Sequence, residues 1–493
     1  MDVKQSLTKR ILKGGLTVVV LASLTPPISY LIKILYSRTL SIEMFGLFYA
    51  VLAFFMLLSS FTDLGFGYSV AYLIPKYFKQ KKYQECWNIY KYNQIVNLLT
   101  SVIISLIVGV LAGILSKYYF KVSGAEYIIY VFIIYLIGNS LLGSLDRLFL
   151  GLQQEKYYSA IQSIRIFLSL SFSIIIWFSK SATVINYAAM WAIATVASTF
   201  IFNSIMRKKN PQLIMQTTWN PKLFKQMLHY AIPNFATTLL YVLMTSVDVI
   251  FLTSLKGVRD VGIYAVVYPI ATMSSIILAP INTFFIPLIS HLMEGEREKV
   301  QKIIYFALKI IPFVGIYFAA FVIFFPNQPI SILFGSKWID LVKTPLVILS
   351  AVFVGTQMSN FLATIIVGVG EVNARMKASV LIAIVNVTAS YLLISKYSVV
   401  GATLAAGITF FLSIILYTKI IRKTLQIKFP IALYIKLIII FFVMYLAVRI
   451  LNIQPSGIFQ YILAGAFYTL IVGFVAYLLK LFDKSMLKSL LET

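Results

Sequence analysis

Apolar runs of about twenty residues follow one another along the whole chain, and short polar segments, mostly basic, separate them. A helix rises about 1.5 Å per residue, so a run of roughly twenty matches a hydrocarbon core about 30 Å thick. The pattern predicts fourteen spans, at 14–36, 46–74, 95–116, 127–148, 158–178, 184–206, 228–253, 262–290, 303–325, 344–369, 378–394, 399–419, 430–450 and 457–479. In lipid, every backbone N–H and C=O must be satisfied within the element, so these spans are expected to be helices. The predicted fold is therefore all-α and integral to a membrane, with about fourteen transmembrane helices.

Charge placement orients the spans. With the N-terminus in the cytoplasm, the inner segments carry 30 of the Lys and Arg residues and the outer ends 11, while Lys436 lies inside a span. That excess satisfies the positive-inside rule and places both termini in the cytoplasm of a cell membrane. An odd number of spans would scramble the alternation. The basic start Lys4, Lys9, Arg10 and Lys13 leads into the first span, and no cleavable leader is expected. The segment 75–94 mixes lysines with Tyr83, Trp87 and Tyr90, and is expected to form an interfacial helix on an anionic leaflet.

Composition narrows the class. The chain has 493 residues, 60% of them hydrophobic and 12% charged, and a mean hydropathy of +0.90. Soluble domains carry about 25% charged residues, so lipid must solvate most of this chain. A net charge of +26 raises the question of nucleic acid, but the basic residues sit between apolar spans, where membrane proteins keep them. Nucleic acid is therefore not an expected partner. A single cysteine, Cys86, rules out an intrachain disulfide and a cysteine-rich metal site. His229 and His291 lie near inner span ends and read as interfacial or capping residues, and no metal site is expected. No enzyme motif and no phosphate-binding GxxxxGK[ST] loop is present, so no catalytic residues and no cofactor are expected; coupling to a Na+ or H+ gradient stays open.

The chain repeats itself. Gly46 matches Gly262 at an offset of 216, and Gly138, Gly151 and Ala188-Ala189 match Gly355, Gly368 and Ala405-Ala406 at 217. Spans 1–6 and 7–12 are therefore duplicated. Six is even, so both copies share one topology, related by an axis along the membrane normal with a central cleft between them. The expected divisions are 1–206 for the first six-helix bundle and 207–227 for a cytoplasmic connector. The second bundle is expected at 228–420, and two added helices with a tail at 421–493. Asn220-Pro221 should open the helix of span seven, with Asn as N-cap and Pro in the first turn.

The stretch 37–78 carries Arg38, Gly46 and Phe48, then a long apolar run ending in Asp63-Leu64-Gly65. It resembles the N-terminal signature of the polysaccharide transporter, or Wzx-type flippase, family, and 224–234 resembles that family's entry into span seven. The wider superfamily also holds multidrug exporters and lipid II flippases. The resemblance implies a V-shaped two-lobe fold, alternating access, and export of polyprenyl-pyrophosphate-linked oligosaccharide. Membrane lipids are then partners, together with glycosyltransferases or a polymerase of the same route.

Ionisable residues within spans are costly and are functional candidates by default. Lys33 either snorkels to the outer interface or holds a pyrophosphate. Asp248 aligns next to it in the repeat and is a candidate partner when the outer side closes. Asp63 either caps a helix break or couples an ion. Arg147 and Arg165 either anchor the inner face or attract the lipid pyrophosphate, with Asp146 beside Arg147; Arg38 and Arg259 either guide the head group outward or mark a shared turn. Pro26 and Pro27 in span one, and Pro269, Pro280 and Pro287 in span eight, should kink their helices and act as hinges. In-span Asn and Gln residues, among them Asn386 and Gln357, either bind sugars or hold helices together. Lys33 on the first helix, which has no acid, favours an anionic substrate over a cationic drug. A multidrug exporter, a lipid II flippase and a non-transporting scaffold for glycan assembly remain the alternatives.

Overall fold

A computed structural model describes residues 25–293, 297–427, 429–455 and 457–478, and among them every regular element is helical. Helix α1 is described over 25–39. There follow α2 (Ile42–Asp63), α3 (Phe66–Lys79), α4 (Tyr83–Ile114), α5 (Ala125–Gly151), α6 (Glu155–Phe178), α7 (Val184–Lys209) and α8 (Pro221–Phe251). Then come α9 (Val258–Ala271), α10 (Ser275–Leu292), α11 (Arg297–Phe324), α12 (Asn327–Leu333), α13 (Ile339–Gly368), α14 (Val372–Leu425), α15 (Ile431–Ile450) and α16 (Ile458–Leu478). Ten segments are long and apolar enough on their own to cross a membrane. Among the described residues, each of the fourteen predicted spans falls on helical residues, span one from residue 25 onwards, while 14–24 lie outside the described residues. Two spans lie in α14 alone, and spans two and eight are each made of two helices.

Span two breaks where the sequence reads Asp63-Leu64-Gly65. Leu64 (φ 46°) and Gly65 (φ 80°) both take the left-handed conformation, ending α2 and starting α3. The break leaves backbone donors without helical partners, and the Asp63 carboxylate accepts from the Gly67 N–H at 3.0 Å. Gly65 also lets another backbone approach: a Cβ there would lie 2.1 Å from the Ala231 carbonyl oxygen of α8. Below that point Ser69 donates to the Met227 carbonyl (2.7 Å) and Tyr77 to Gln226 (3.0 Å), which zips α3 onto α8. Span eight is interrupted after Pro269, between Ala271 and Ser275. Pro280 falls within the bounds of α10, and its side chain, like that of Pro287, lies outside the described residues.

α14 folds back on itself. Ser398 has φ 53° and ψ −129° in the middle of 54 otherwise helical residues. Asn386 donates to Thr409 (3.2 Å), and the hydroxyls of Ser379 and Tyr417 lie 3.3 Å apart, so residues about equally far from Ser398 on either side face each other. This is a hairpin of two spans. The segment 75–94 is not a separate interfacial helix. It comprises the end of α3, a tight turn through Lys81 (φ 58°) and the first turns of α4. At 32 residues α4 rises about 48 Å, which carries its basic start past the hydrocarbon core. As expected, Asn220 caps α8, its side chain accepting from the Leu223 N–H at 3.1 Å.

By packing, the chain forms two compact units, Met1–Gly262 and Ile263–Thr493. The repeat assigns α8 to the second bundle, whereas its contacts with α2 and α3 place it in the first unit. In the second unit, α15 and α16 hold on to α11 through rings, with Tyr468 5.2 Å from Tyr317 and 5.3 Å from Phe321. The repeat also appears as a contact. A Cβ on Gly46 would meet the Val258 carbonyl oxygen at 1.9 Å, and one on Gly262 the Ile42 carbonyl oxygen at 2.8 Å. Ile42 and Val258 differ by the same 216 positions as the glycines, so one contact is made twice, once from each copy.

Candidate substrate-binding site

In the first unit, α1 is fastened to α6 and α7 along its length. Thr25 bonds Ser163 (3.0 Å), Tyr36 bonds Ser173 (2.7 Å) and Thr39 bonds Tyr187 (3.0 Å). The Tyr36 ring is fully buried, stacked 4.1 Å from Tyr187 and edge-on to Phe48 at 4.9 Å. A tyrosine inside a bundle brings a hydroxyl that needs a partner, and the serines of α6 supply it. Pro26 and Pro27 lie in helical conformation in the first described turn of α1. The kink expected there involves residues before 25, which lie outside the described residues.

The predicted cations fall into two groups. Arg38 and Arg259 are exposed. Lys33, Arg147 and Arg165 are half-buried, and each lies against an aromatic ring. The Lys33 ammonium sits 5.1 Å from the Tyr49 ring centre, the Arg147 guanidinium 5.3 Å from Tyr68, and that of Arg165 5.6 Å from Trp191. Ring quadrupoles attract cations and offset part of the cost of removing them from water. Lys33 rests on Tyr49, and Asp248 is half-buried on α8.

Arg147 belongs to the break in span two. A Cβ on Gly67 would lie 3.0 Å from Arg147 Nε and 2.9 Å from Asp63 Oδ1, so the two charged groups are within about 6 Å of each other. Arg147, Asp63 and the N–H of Gly67 therefore form one local constellation. Arg165 has its acceptor on its own helix: Nε and Nη2 donate to the Gln162 side chain at 3.2 and 2.8 Å. Its third nitrogen, Nη1, is buried without a partner among the described residues, as is the indole Nε1 of Trp191.

Sequence reasoning found the charges but missed the rings. Tyr49, Tyr68 and Trp191 sit among many aromatics in apolar spans, and nothing in their spacing singles them out. The serines of α6 do leave a trace, since 159 and 163, then 169 and 173, are each one helical turn apart. Among the described residues no cluster of His, Cys, Asp and Glu could hold a metal ion.

Comparison with known proteins matches this architecture. The polysaccharide biosynthesis protein model, Polysacc_synt, matches residues 11–293, more than half of the chain, and the MatE model matches 233–392. An uncharacterized membrane protein of Methanocaldococcus jannaschii, MJ1068, is 24% identical over 427 residues, covering 82% of this chain and 83% of its own. The capsular polysaccharide biosynthesis protein CapF of Staphylococcus aureus is 26% identical over 307 residues, 58% of this chain and 76% of its own. Among solved structures, the lipid II flippase MurJ in an inward closed conformation superposes with a TM-score of 0.74 at 13% identity, covering 94% of this chain and 99% of MurJ. An inward-facing multidrug resistance transporter of the MATE family gives 0.67 at 15% identity, covering 83% of this chain and 95% of its own. This chain thus belongs to the polysaccharide biosynthesis protein family, as a multi-pass membrane protein whose fold is that of the MurJ and MATE transporter structures.

Proposed function

We propose that this protein is a flippase that carries a polyprenyl-pyrophosphate-linked oligosaccharide from the cytoplasmic to the outer leaflet of a cell membrane by alternating access, with both termini in the cytoplasm. The observation that carries this reading is the state of the in-span cations Lys33 and Arg165. Each is braced by an aromatic ring, and neither has a carboxylate partner among the described residues. An interior left electropositive attracts an anion, and its low dielectric strengthens that attraction. Lysine is a compact point charge on a flexible stem, suited to a phosphate that must pass through. The relatives named for polysaccharide biosynthesis support a saccharide-bearing substrate. Glycosyltransferases that build the lipid-linked unit and a polymerase that consumes it are the partners this role requires.

The test is a flipping assay on purified protein in vesicles, with a fluorescent polyprenyl-pyrophosphate oligosaccharide and a membrane-impermeant reagent outside. Wild type is expected to flip it. Lys33→Ala should slow flipping by about tenfold or more, the scale of one lost bond to a charged group, with the thermal unfolding midpoint unchanged. A second reading, a cation-coupled multidrug exporter, draws on the MatE match over 233–392. Wild-type protein that flips no such lipid, yet exports organic cations against a pH or sodium gradient, would replace the first reading with the second. Lipid II, run as a third substrate, separates a peptidoglycan precursor from other saccharides.

A further inference from the structure

Arg165 lies ten residues into α6, about 15 Å along a helix that is long and apolar enough to cross a membrane. A cation at such a depth is normally neutralised by an acid on a neighbouring helix. Here the surrounding helices offer none. The described part of α1 and all of α7 have no Asp or Glu, and the one acid of α6 is Glu155 in its first turn. On α5 the acids are Glu126 in the first turn and Asp146, next in sequence to Arg147. On α2, which reaches Trp191 through Phe48 at 5.9 Å, they are Glu43 in the first turn and Asp63 at the break.

Hydrogen bonding makes the same point independently. Arg165 Nη1 and Trp191 Nε1 are both buried donors without partners among the described residues, and the guanidinium lies 5.6 Å from the indole ring centre. Trp191 is only 7% exposed. More than nine in ten buried polar groups in proteins find a partner, so two adjacent orphans, one on a cation, call for an acceptor that carries negative charge. We propose that Arg165 and Trp191 form an anion-binding subsite inside the first unit that takes a phosphate of the lipid-linked substrate. Gln162 holds the guanidinium by two of its nitrogens and leaves the third for the ligand, while the indole N–H supplies a second, uncharged donor. The phosphate link rests on the flippase reading; the two orphaned donors do not.

The experiment uses the full chain in nanodiscs of neutral phosphatidylcholine, titrated with farnesyl pyrophosphate by calorimetry. Farnesol and inorganic pyrophosphate serve as comparison probes. Trp191→Phe keeps the ring and deletes only the donor, and should weaken farnesyl pyrophosphate binding by about tenfold. Arg165→Gln should weaken it by about a hundredfold. Farnesol binding should not change in either variant, and ligand-free Trp191→Phe should melt no lower than wild type. If Arg165→Gln does not fold, Trp191→Phe carries the test alone. Wild-type binding that both variants retain overturns the subsite and leaves the flippase reading standing. A wild type that binds no pyrophosphate probe overturns both. Inorganic pyrophosphate binding as tightly as the farnesyl ester would assign the site to a free anion and overturn its link to the substrate.

Discussion

A carboxylate in an apolar span either serves the helix or serves transport, and at Asp63 the geometry speaks for the helix. Its Oδ1 accepts from the Gly67 N–H at 3.0 Å, at the start of α3, where backbone donors are otherwise unpaired. An asparagine side chain at this position would keep that acceptor. Asp63→Asn is therefore expected to melt close to wild type, and Asp63→Ala to lose about 1 kcal/mol, the usual worth of a cap, read by thermal unfolding in detergent. Should Asp63→Asn stay folded but flip without its dependence on an ion gradient, the carboxylate couples ions after all. Charges of this kind were legible because each interrupts an apolar run. Their ring partners were not, since a Trp in a span looks the same in sequence whether or not a guanidinium lies over it.

Helix ends in this chain are set by backbone conformation more than by polarity. At Ser398, φ 53° and ψ −129° lie in a region that glycine adopts without strain and serine does not. Ser398→Gly is expected to stabilise the α14 hairpin by about 1 kcal/mol, measured as a rise in unfolding midpoint. A fall would mean that the serine side chain outweighs the strain. The position of this turn was legible as a short polar interval between two apolar runs. The turn in 80–82 was not. A continuous basic and aromatic stretch there suggested one interfacial helix, and only the left-handed Lys81 reveals that α3 ends and α4 begins within it.

On the scale of the molecule, duplication has left a contact between corresponding glycines. A methyl group at Gly46 would overlap the Val258 carbonyl at 1.9 Å, and one at Gly262 would press on Ile42 at 2.8 Å. Both Gly46→Ala and Gly262→Ala should therefore destabilise, by about 1–3 kcal/mol each, with Gly46→Ala the worse. Because they strain one contact from two sides, the double variant should lose less than the two losses combined. Strictly additive losses in chemical unfolding would show two separate sites. The repeat was legible in the glycines and alanines because small residues are kept where backbones touch. The packing of α8 with the first unit was not, since a repeat records descent and contacts record present neighbours.

The sequence by itself determined the solvent, the number of spans and the short roster of charges that lipid makes expensive. These follow from local composition and from the thickness of a bilayer, which act on each stretch of chain separately. Only the tertiary structure decided which ring lies under which cation, that Lys33 rests on Tyr49, and that two donors beside one another lack an acceptor among the described residues. Such facts depend on the rotation and depth of whole helices against one another. These are fixed by many small packing contacts and by close approaches such as that of Gly65 to Ala231, none of which has a pattern along the chain.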